Sequence, residues 1–155
     1  MLASLVRPLS IALCLALAPL AALAEPEFRM PPPGSPHRRA IMDSIRPQVE
    51  AAYQQKVKFF VRAMASNGSI ALVFLVPLDE AGNVIGERTT KNKRGEPVEL
   101  DGWVFAIAKQ ESKVWRVVEI DMLGSVDGLT VWPSKYPEIP ADVFDGVGVA
   151  TNGEG

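Results

Sequence analysis

The sequence has almost no cysteine or histidine, with one of each among its 155 residues. Cys14 lies inside an apolar N-terminal stretch that we expect to be removed, so the remaining chain forms neither a disulfide nor a thiolate metal site. His37 has no second histidine with which to build a metal site or a proton relay. We therefore predict that packing alone stabilises the protein, that it holds no metal, and that His37 is a surface residue at a helix start.

An excess of positive charge is also missing. The chain has 16 Lys and Arg against 18 Asp and Glu, which gives it a formal net charge of −2 at pH 7. General nucleic-acid binding requires a basic surface that neutralises phosphates. The composition therefore predicts no nucleic-acid partner.

No motif for nucleophilic catalysis or cofactor binding is present. Ser125 and Ser134 lack both the glycine-framed turn and the histidine base that activate a serine nucleophile. No glycine-rich loop has the spacing that cradles a phosphate. We expect no cofactor, and we expect the protein to act by binding rather than by catalysis.

The N-terminus carries the pattern of an export signal. Arg7 is followed by an apolar run over residues 9–18 and by small residues up to Ala24, the arrangement that a signal peptidase recognises. The run is broken at Pro19 and is shorter than the ~20 residues that cross a bilayer. We predict that residues 1–24 are a cleavable signal peptide and that the protein is periplasmic or secreted and does not span the membrane.

Composition divides the rest of the chain into three parts. Residues 25–36 are rich in proline, which favours extended backbone, and we interpret them as a strap or linker. Residues 37–145 are long enough for one domain with its own core and too short for two. Residues 146–155 have little to bury, and we expect them to be disordered.

A helix is predicted directly after the strap. Ser35 and Pro36 form a typical start, with the hydroxyl as N-cap and the proline in the first turn. Apolar residues then recur three or four positions apart, which places them on one helical face. Pro47 interrupts this pattern, so we expect either a kink or two short helices. The apolar positions are Ile41, Ile45, Val49 and Ala52.

Four strands are predicted after the helix. Residues 56–63 alternate between apolar and polar side chains, with Phe60 as the exception, and a turn then leads into a nearly continuous apolar run at 70–76. That run predicts a central strand with both faces covered. Residues 103–108 and 114–120 are the third and fourth strands. The order indicates an α+β fold in which one helix packs on a four-stranded antiparallel meander sheet, with the pocket on its concave side.

The C-terminal part of the predicted domain mixes aromatic residues with prolines. Trp132, Tyr136 and Phe144 each stand near a proline. This composition favours an irregular segment that packs against the core without regular structure. We expect it to cap a sheet edge or the open end of the concave face.

These features resemble those of a group of small, uncharacterised exported bacterial proteins. The resemblance rests on the pattern Arg-x-Ile-x-Asp-x-Ile-Arg-Pro at residues 39–47, the strand at 57–61, the Trp-Arg-Val-Val strand at 115–118, and the aromatic residues spaced from Trp132 to Phe144. It covers most of the predicted domain and implies a periplasmic location. The helix-then-sheet order is also similar to that of cystatin-like and nuclear-transport-factor-like domains, a likeness of architecture that does not fix function.

The segment between the second and third strands has the densest basic cluster. Residues 87–97 form a loop long enough to be functional or mobile. The charge of its cations is partly offset by Glu87 and Glu96. These cations either form a site for an anionic glycan, lipid head group or acidic partner, or belong to an ordinary solvated loop. For three aromatic residues, core packing is the first interpretation and stacking on a ligand is the alternative. The candidate binding residues are Arg88, Lys91, Lys93, Arg94, Trp103, Trp132 and Tyr136.

Two carboxylates are the candidates for catalysis. Asp121 and Asp127 flank Gly124. In a pocket, burial would split their pKa values and allow acid–base chemistry. Solvated strand-end and turn positions explain both residues more simply.

Three functions remain open from the sequence. The first is a non-enzymatic binding or assembly module whose concave sheet face and basic loop engage a small ligand or an envelope protein. The second is a small hydrolase or isomerase that uses one of the two carboxylates as a base. The third is pairing through an exposed sheet edge, as a homodimer or with another chain, which Lys56 and Lys58 would discourage.

Overall fold

The structure, a computed structural model, describes residues 26–123 and 129–148. The predicted signal peptide at 1–24 lies outside the described residues, as do Asp127 and most of the tail predicted at 146–155. In the described part of the chain, no helix is both long enough and apolar enough to cross a membrane.

Helix α1 spans Pro36–Tyr53 and begins at the predicted cap. The Ser35 hydroxyl accepts a hydrogen bond of 3.2 Å from the backbone N–H of Arg38, which satisfies one donor of the first turn. Pro47 lies inside this one continuous helix, so the alternative of two short helices is wrong. The buried side chains share one face, as the spacing predicted. They are Ile41, Met42, Ile45, Val49 and Tyr53.

The predicted hairpin follows α1. Strand β1 spans Lys58–Ser66 and strand β2 spans Ile70–Leu78, and the two pair antiparallel. Between them, the side-chain oxygen of Asn67 accepts hydrogen bonds of 3.0 Å from the backbone N–H groups of Ser69 and Ile70. The asparagine therefore stabilises the turn that sets the register of the hairpin.

A bulge in β1 changes the face that its side chains occupy. The register shifts between Val61 and Ala63, so Arg62 is the extra residue. Before the bulge, Phe59 and Val61 pack on the helix side, whereas Ala63 packs on the opposite side. The simple alternation predicted for residues 56–63 is therefore wrong at its end, because one extra residue exchanges the two faces.

The polar segment predicted as a loop forms a second hairpin. Strand β3 spans Arg88–Lys91 and pairs antiparallel with strand β4, which spans Pro97–Leu100. At its base Gly102 has a φ of +77°, and a Cβ there would lie 2.8 Å from the carbonyl carbon of Gly86. Only glycine permits this close approach, so the two glycines hold the base of the hairpin together.

Strands β5 and β6 complete the main sheet. β5 spans Val104–Glu111 and β6 spans Val114–Asp121. Ser112 and Lys113 join them with φ values of +49° and +67°, as a tight hairpin loop requires. The four strands are antiparallel in the order β1-β2-β5-β6, so β2 and β5 are central. The predicted α+β fold, with one helix on a four-stranded meander sheet, is confirmed.

Helix α1 covers one face of the central strands. Its residues Ile41, Ile45 and Val49 share a buried cluster with Val73 of β2 and Val104 of β5. All of these side chains are fully buried. The helix therefore stabilises the sheet by removing apolar surface from water.

The aromatic and proline-rich segment covers part of the other face. It contains two short helices, α2 at Trp132–Lys135 and α3 at Ala141–Val147. Phe144 is fully buried in a cluster with Leu72 and Ile107. The segment is more regular than predicted because prolines are readily accepted at the start of a helix, where Pro133 and Pro140 stand. Helix α3 also continues into the first residues of the predicted tail.

Phe144→Ala tests how firmly α3 belongs to the core. The ring is fully buried, so we expect the free energy of unfolding to fall by about 3–5 kcal/mol. The control Val131→Ala truncates a side chain that is more than half exposed, and its effect should stay within about 0.5 kcal/mol. Urea denaturation followed by circular dichroism measures both. Similar effects for the two variants would contradict the anchoring role of Phe144.

Gly102→Ala tests the close approach at the base of the second hairpin. The matched control is Gly82→Ala, because Gly82 also has a positive φ, of +92°, but faces open space. Both variants force an L-residue into left-handed backbone at a cost of about 1–2 kcal/mol. Only Gly102→Ala adds a backbone clash, so we expect it to lose at least about 1 kcal/mol more in urea denaturation. Equal losses would rule out the tight contact.

Candidate functional site

Helix α3 leaves part of the second sheet face uncovered. It ends at Gly148, where a Cβ would lie 3.9 Å from the ring of Phe74. Past this ring, two large apolar side chains are more than half exposed, Phe60 at 54% and Trp103 at 52%. The face is therefore buried under the C-terminal segment at one end and open to solvent at the other.

The register of the sheet places these side chains in one row. Phe60 is opposite Val76. The pairing of Leu75 with Val104 puts Trp103 next to Val76 on the other side. Cross-strand neighbours of this kind lie on the same face and touch each other. We name this surface the open face; it consists of Phe60, Phe74, Val76 and Trp103.

Trp103 is held in place by two further rings. It packs edge-on against Phe74, with ring centroids 5.8 Å apart, and Phe74 stacks on Phe105 at 4.3 Å. Phe105 belongs to the buried cluster of this face. The half-exposed indole therefore rests on an ordered aromatic stack, a geometry favoured by aromatic rings.

The structure separates the three candidate aromatic residues. Trp132 and Tyr136 are buried in the cluster beneath the C-terminal segment, at 4% and 7% exposure. Burial raises the pKa of the Tyr136 hydroxyl, whose oxygen lies 3.4 Å from Glu119. Trp132 and Tyr136 are therefore packing residues, and Trp103 is the one that remains accessible to a partner.

Phe60 was missed as a binding candidate, although the sequence contained a signal for it. It is the apolar residue that breaks the alternating pattern of residues 56–63. An apolar side chain on the solvent side of a half-buried strand indicates either a second packed layer or an interaction surface. In the described part of the chain no second layer covers this residue, since 54% of its surface is exposed.

Two ion pairs fasten the C-terminal segment to the sheet. Lys109 of β5 lies 2.6 Å from Glu138, and Lys135 of α2 pairs with Glu119 of β6. The hydrogen bond from Lys109 lowers the pKa of the Glu138 carboxyl, and the bond to Glu119 raises the pKa of Lys135. Both pairs are partly exposed, so they contribute less than the buried aromatic side chains.

Stability should therefore depend on the charge of Glu138 in acid. Its pKa is lowered from the ordinary 4.5, so its contribution is present above that value and is lost as the pH falls through the lowered pKa. We expect the urea midpoint of Glu138→Gln to fall less between pH 7 and pH 3 than that of the unaltered protein. At about 1 M salt the difference between the two proteins should shrink, because the Debye length is then ~3 Å and the attraction between Lys109 and Glu138 is largely screened. Identical pH profiles at low salt would contradict the role of this pair.

One cation of the basic hairpin, Arg88, contacts helix α1. The Arg88 guanidinium donates hydrogen bonds to the Tyr53 carbonyl at 3.2 Å and to the Gln55 side chain at 3.3 Å. It thereby binds the C-terminal end of α1, where the helix dipole favours a cation. All four cations of the hairpin, Arg88, Lys91, Lys93 and Arg94, are exposed.

The single histidine is more buried than predicted. The Nε2 atom of His37 lies 3.0 Å from the Ser66 hydroxyl, and its ring packs edge-on against Trp115 at 5.2 Å. His37 stands at the helix start as predicted, and its side chain is half-buried because the first turn of α1 lies over the end of β1. His37 therefore joins the helix to the sheet.

The structure describes only one of the two candidate catalytic carboxylates. Asp121 ends β6 and accepts a hydrogen bond of 2.8 Å from the backbone N–H of Leu123, a local turn contact. Asp127 lies outside the described residues. Across residues 26–123 and 129–148, no group of three or more His, Cys, Asp and Glu side chains is placed to hold a metal ion.

The fold and the open face define a small α+β domain with an incompletely covered sheet. No protein-family model, curated protein or solved structure matches this chain. The resemblance to exported bacterial proteins therefore stays a prediction.

Proposed function

We propose that this protein is a non-enzymatic binding or assembly module of the periplasm, which holds an apolar segment of a partner protein on its open face. One observation carries the proposal: Phe60 and Trp103 remain more than half exposed although other apolar side chains of the same sheet face, including Leu72, Phe105 and Ile107, are buried. Contiguous exposed apolar surface of this kind marks interaction sites. Tryptophan is also among the residues that dominate binding energy at protein interfaces.

The shape of the open face favours a protein segment over a small molecule. Small ligands bind in concave pockets that bury most of their surface. Of four surface clefts in the described chain, one reaches Phe60, but neither Trp103 nor Val76 lines any of the four. A pleated sheet surface without walls instead suits the apolar side of a partner chain.

Site-specific crosslinking in the living host tests this proposal. A benzophenone amino acid that replaces Trp103 should crosslink to one other protein on irradiation. The same group at Val114, which is also about half exposed but lies on β6, should not. Phe60→Lys should abolish the crosslink from position 103, because loss of an interface hot spot costs about 2 kcal/mol or more, which is ~30-fold in affinity.

The outcomes separate the alternatives. A crosslink to a second copy of the chain would show that the open face mediates self-association and does not bind another protein. A crosslink of equal yield from positions 103 and 114, or no crosslink from 103, would contradict binding through the open face. We expect the circular dichroism spectrum of Phe60→Lys to match that of the unaltered protein, since this side chain is already half exposed.

A further inference from the structure

A cleft of about 480 Å³ lies between α1 and β1, on the helix side of the sheet. Its volume is within the ~300–1,000 Å³ range of ligand-binding clefts. Met42 of α1 and Phe59 of β1 are apolar parts of its lining, and the strap closes one end at Gly34. Its positive charge comes from Arg38, Arg39 and Arg46.

The arginines of this cleft are incompletely neutralised. Among the described residues that line it, Asp43 is the only acid, and it lies 3.8 Å from Arg46. The guanidinium groups of Arg38 and Arg39 reach backbone carbonyl oxygens of the strap at 3.2 and 3.5 Å. Both also stand in the first turn of α1, where the helix dipole disfavours cations. The cleft therefore keeps an excess of positive charge in a chain whose net charge is −2.

The edge of β1 that borders the cleft lacks a partner strand. At the far end of β1, Arg29 of the strap pairs with Ser66 through two backbone hydrogen bonds of 3.0 and 2.9 Å. The strap cannot extend this pairing, because the prolines at 31–33 have no N–H and the chain turns into α1 at Ser35. Residues 58–61 are therefore an edge with no neighbouring strand on this side within the described chain.

We propose that this cleft binds an acidic, extended segment of a partner protein, which adds to β1 as a further strand. In this mode main-chain hydrogen bonds supply affinity and side-chain contacts supply specificity. The arginines select carboxylates, whereas a second copy of this chain would bring like charges together. The site adjoins the open face at Phe60, which lines both surfaces, whereas its arginines lie on α1, on the other side of the sheet from Trp103.

Fluorescence anisotropy with two labelled peptides tests the proposal on the purified, processed protein. One peptide alternates glutamate and valine over about six residues, a usual strand length, and the other carries lysine in place of glutamate. The glutamate peptide should bind, less tightly as salt is raised, and the lysine peptide should not. Arg39→Glu should weaken binding of the glutamate peptide by up to about fivefold, since a single surface charge pair contributes up to ~1 kcal/mol.

The control variant is Arg116→Glu, which reverses an exposed arginine on the other edge strand, 3.5 Å from Glu111. It should leave the affinity within about twofold, because a charge on the other edge lies beyond the ~10 Å reach of unscreened interactions at 0.1 M salt.

NMR amide shifts on peptide addition should concentrate in residues 58–61 and in the first half of α1. Absence of binding, equal affinity for both peptides, equal effects of the two variants, or shifts confined to the β3-β4 hairpin would each overturn the proposal. Circular dichroism checks the fold of both variants.

Discussion

The central strands β2 and β5 are apolar on both faces, and the rest of the structure depends on covering them. Strands of this kind are stable only where a layer lies on each side of the sheet. No disulfide supplements the packing, because Cys14 is the only cysteine in the sequence. The two covers, α1 on one face and the C-terminal segment on the other, are therefore required by the sheet itself.

The two covers differ in length, and this difference creates the open face. Helix α1 has 18 residues, whereas α3 has 7, which corresponds to a length of only about 10 Å. Strand β2 has 9 residues and extends over about 30 Å. A helix as short as α3 cannot cover a strand of that length, so the end of the sheet that carries Phe60 and Trp103 stays in contact with water.

Charge at the two ends of α1 serves different purposes. At its C-terminal end, Arg88 donates to the Tyr53 carbonyl, and the helix dipole favours this cation. At its N-terminal end, Arg38 and Arg39 stand where the dipole opposes them. Residues that break a local stability rule without compensation are expected at functional positions. Arg38 and Arg39 also donate to carbonyl oxygens of the strap, so the contrast with Arg88 lies in the helix dipole, and it supports the binding role proposed above for the arginines near β1.

Local interactions could be predicted from the sequence. The Ser35 cap, the apolar face of α1, the turn at Asn67 and the buried run of β2 each depend on residues close together in the chain. For this reason the fold class and the central position of β2 followed from spacing and composition alone. The two helices of the C-terminal segment and the bulge at Arg62 did not, because both depend on packing against distant strands.

The sequence by itself therefore determined one helix, a four-stranded sheet and a stability that rests on packing. It could not distinguish Trp103 from Trp132 and Tyr136, since nothing in their neighbouring residues decides which ring is covered. Only the tertiary structure decided that α2 and α3 cover two of these rings and leave the third exposed. It also decided that Arg39 borders the edge of β1. The physical reason is that exposure depends on contacts between residues far apart in the chain, which strand register and helix placement establish.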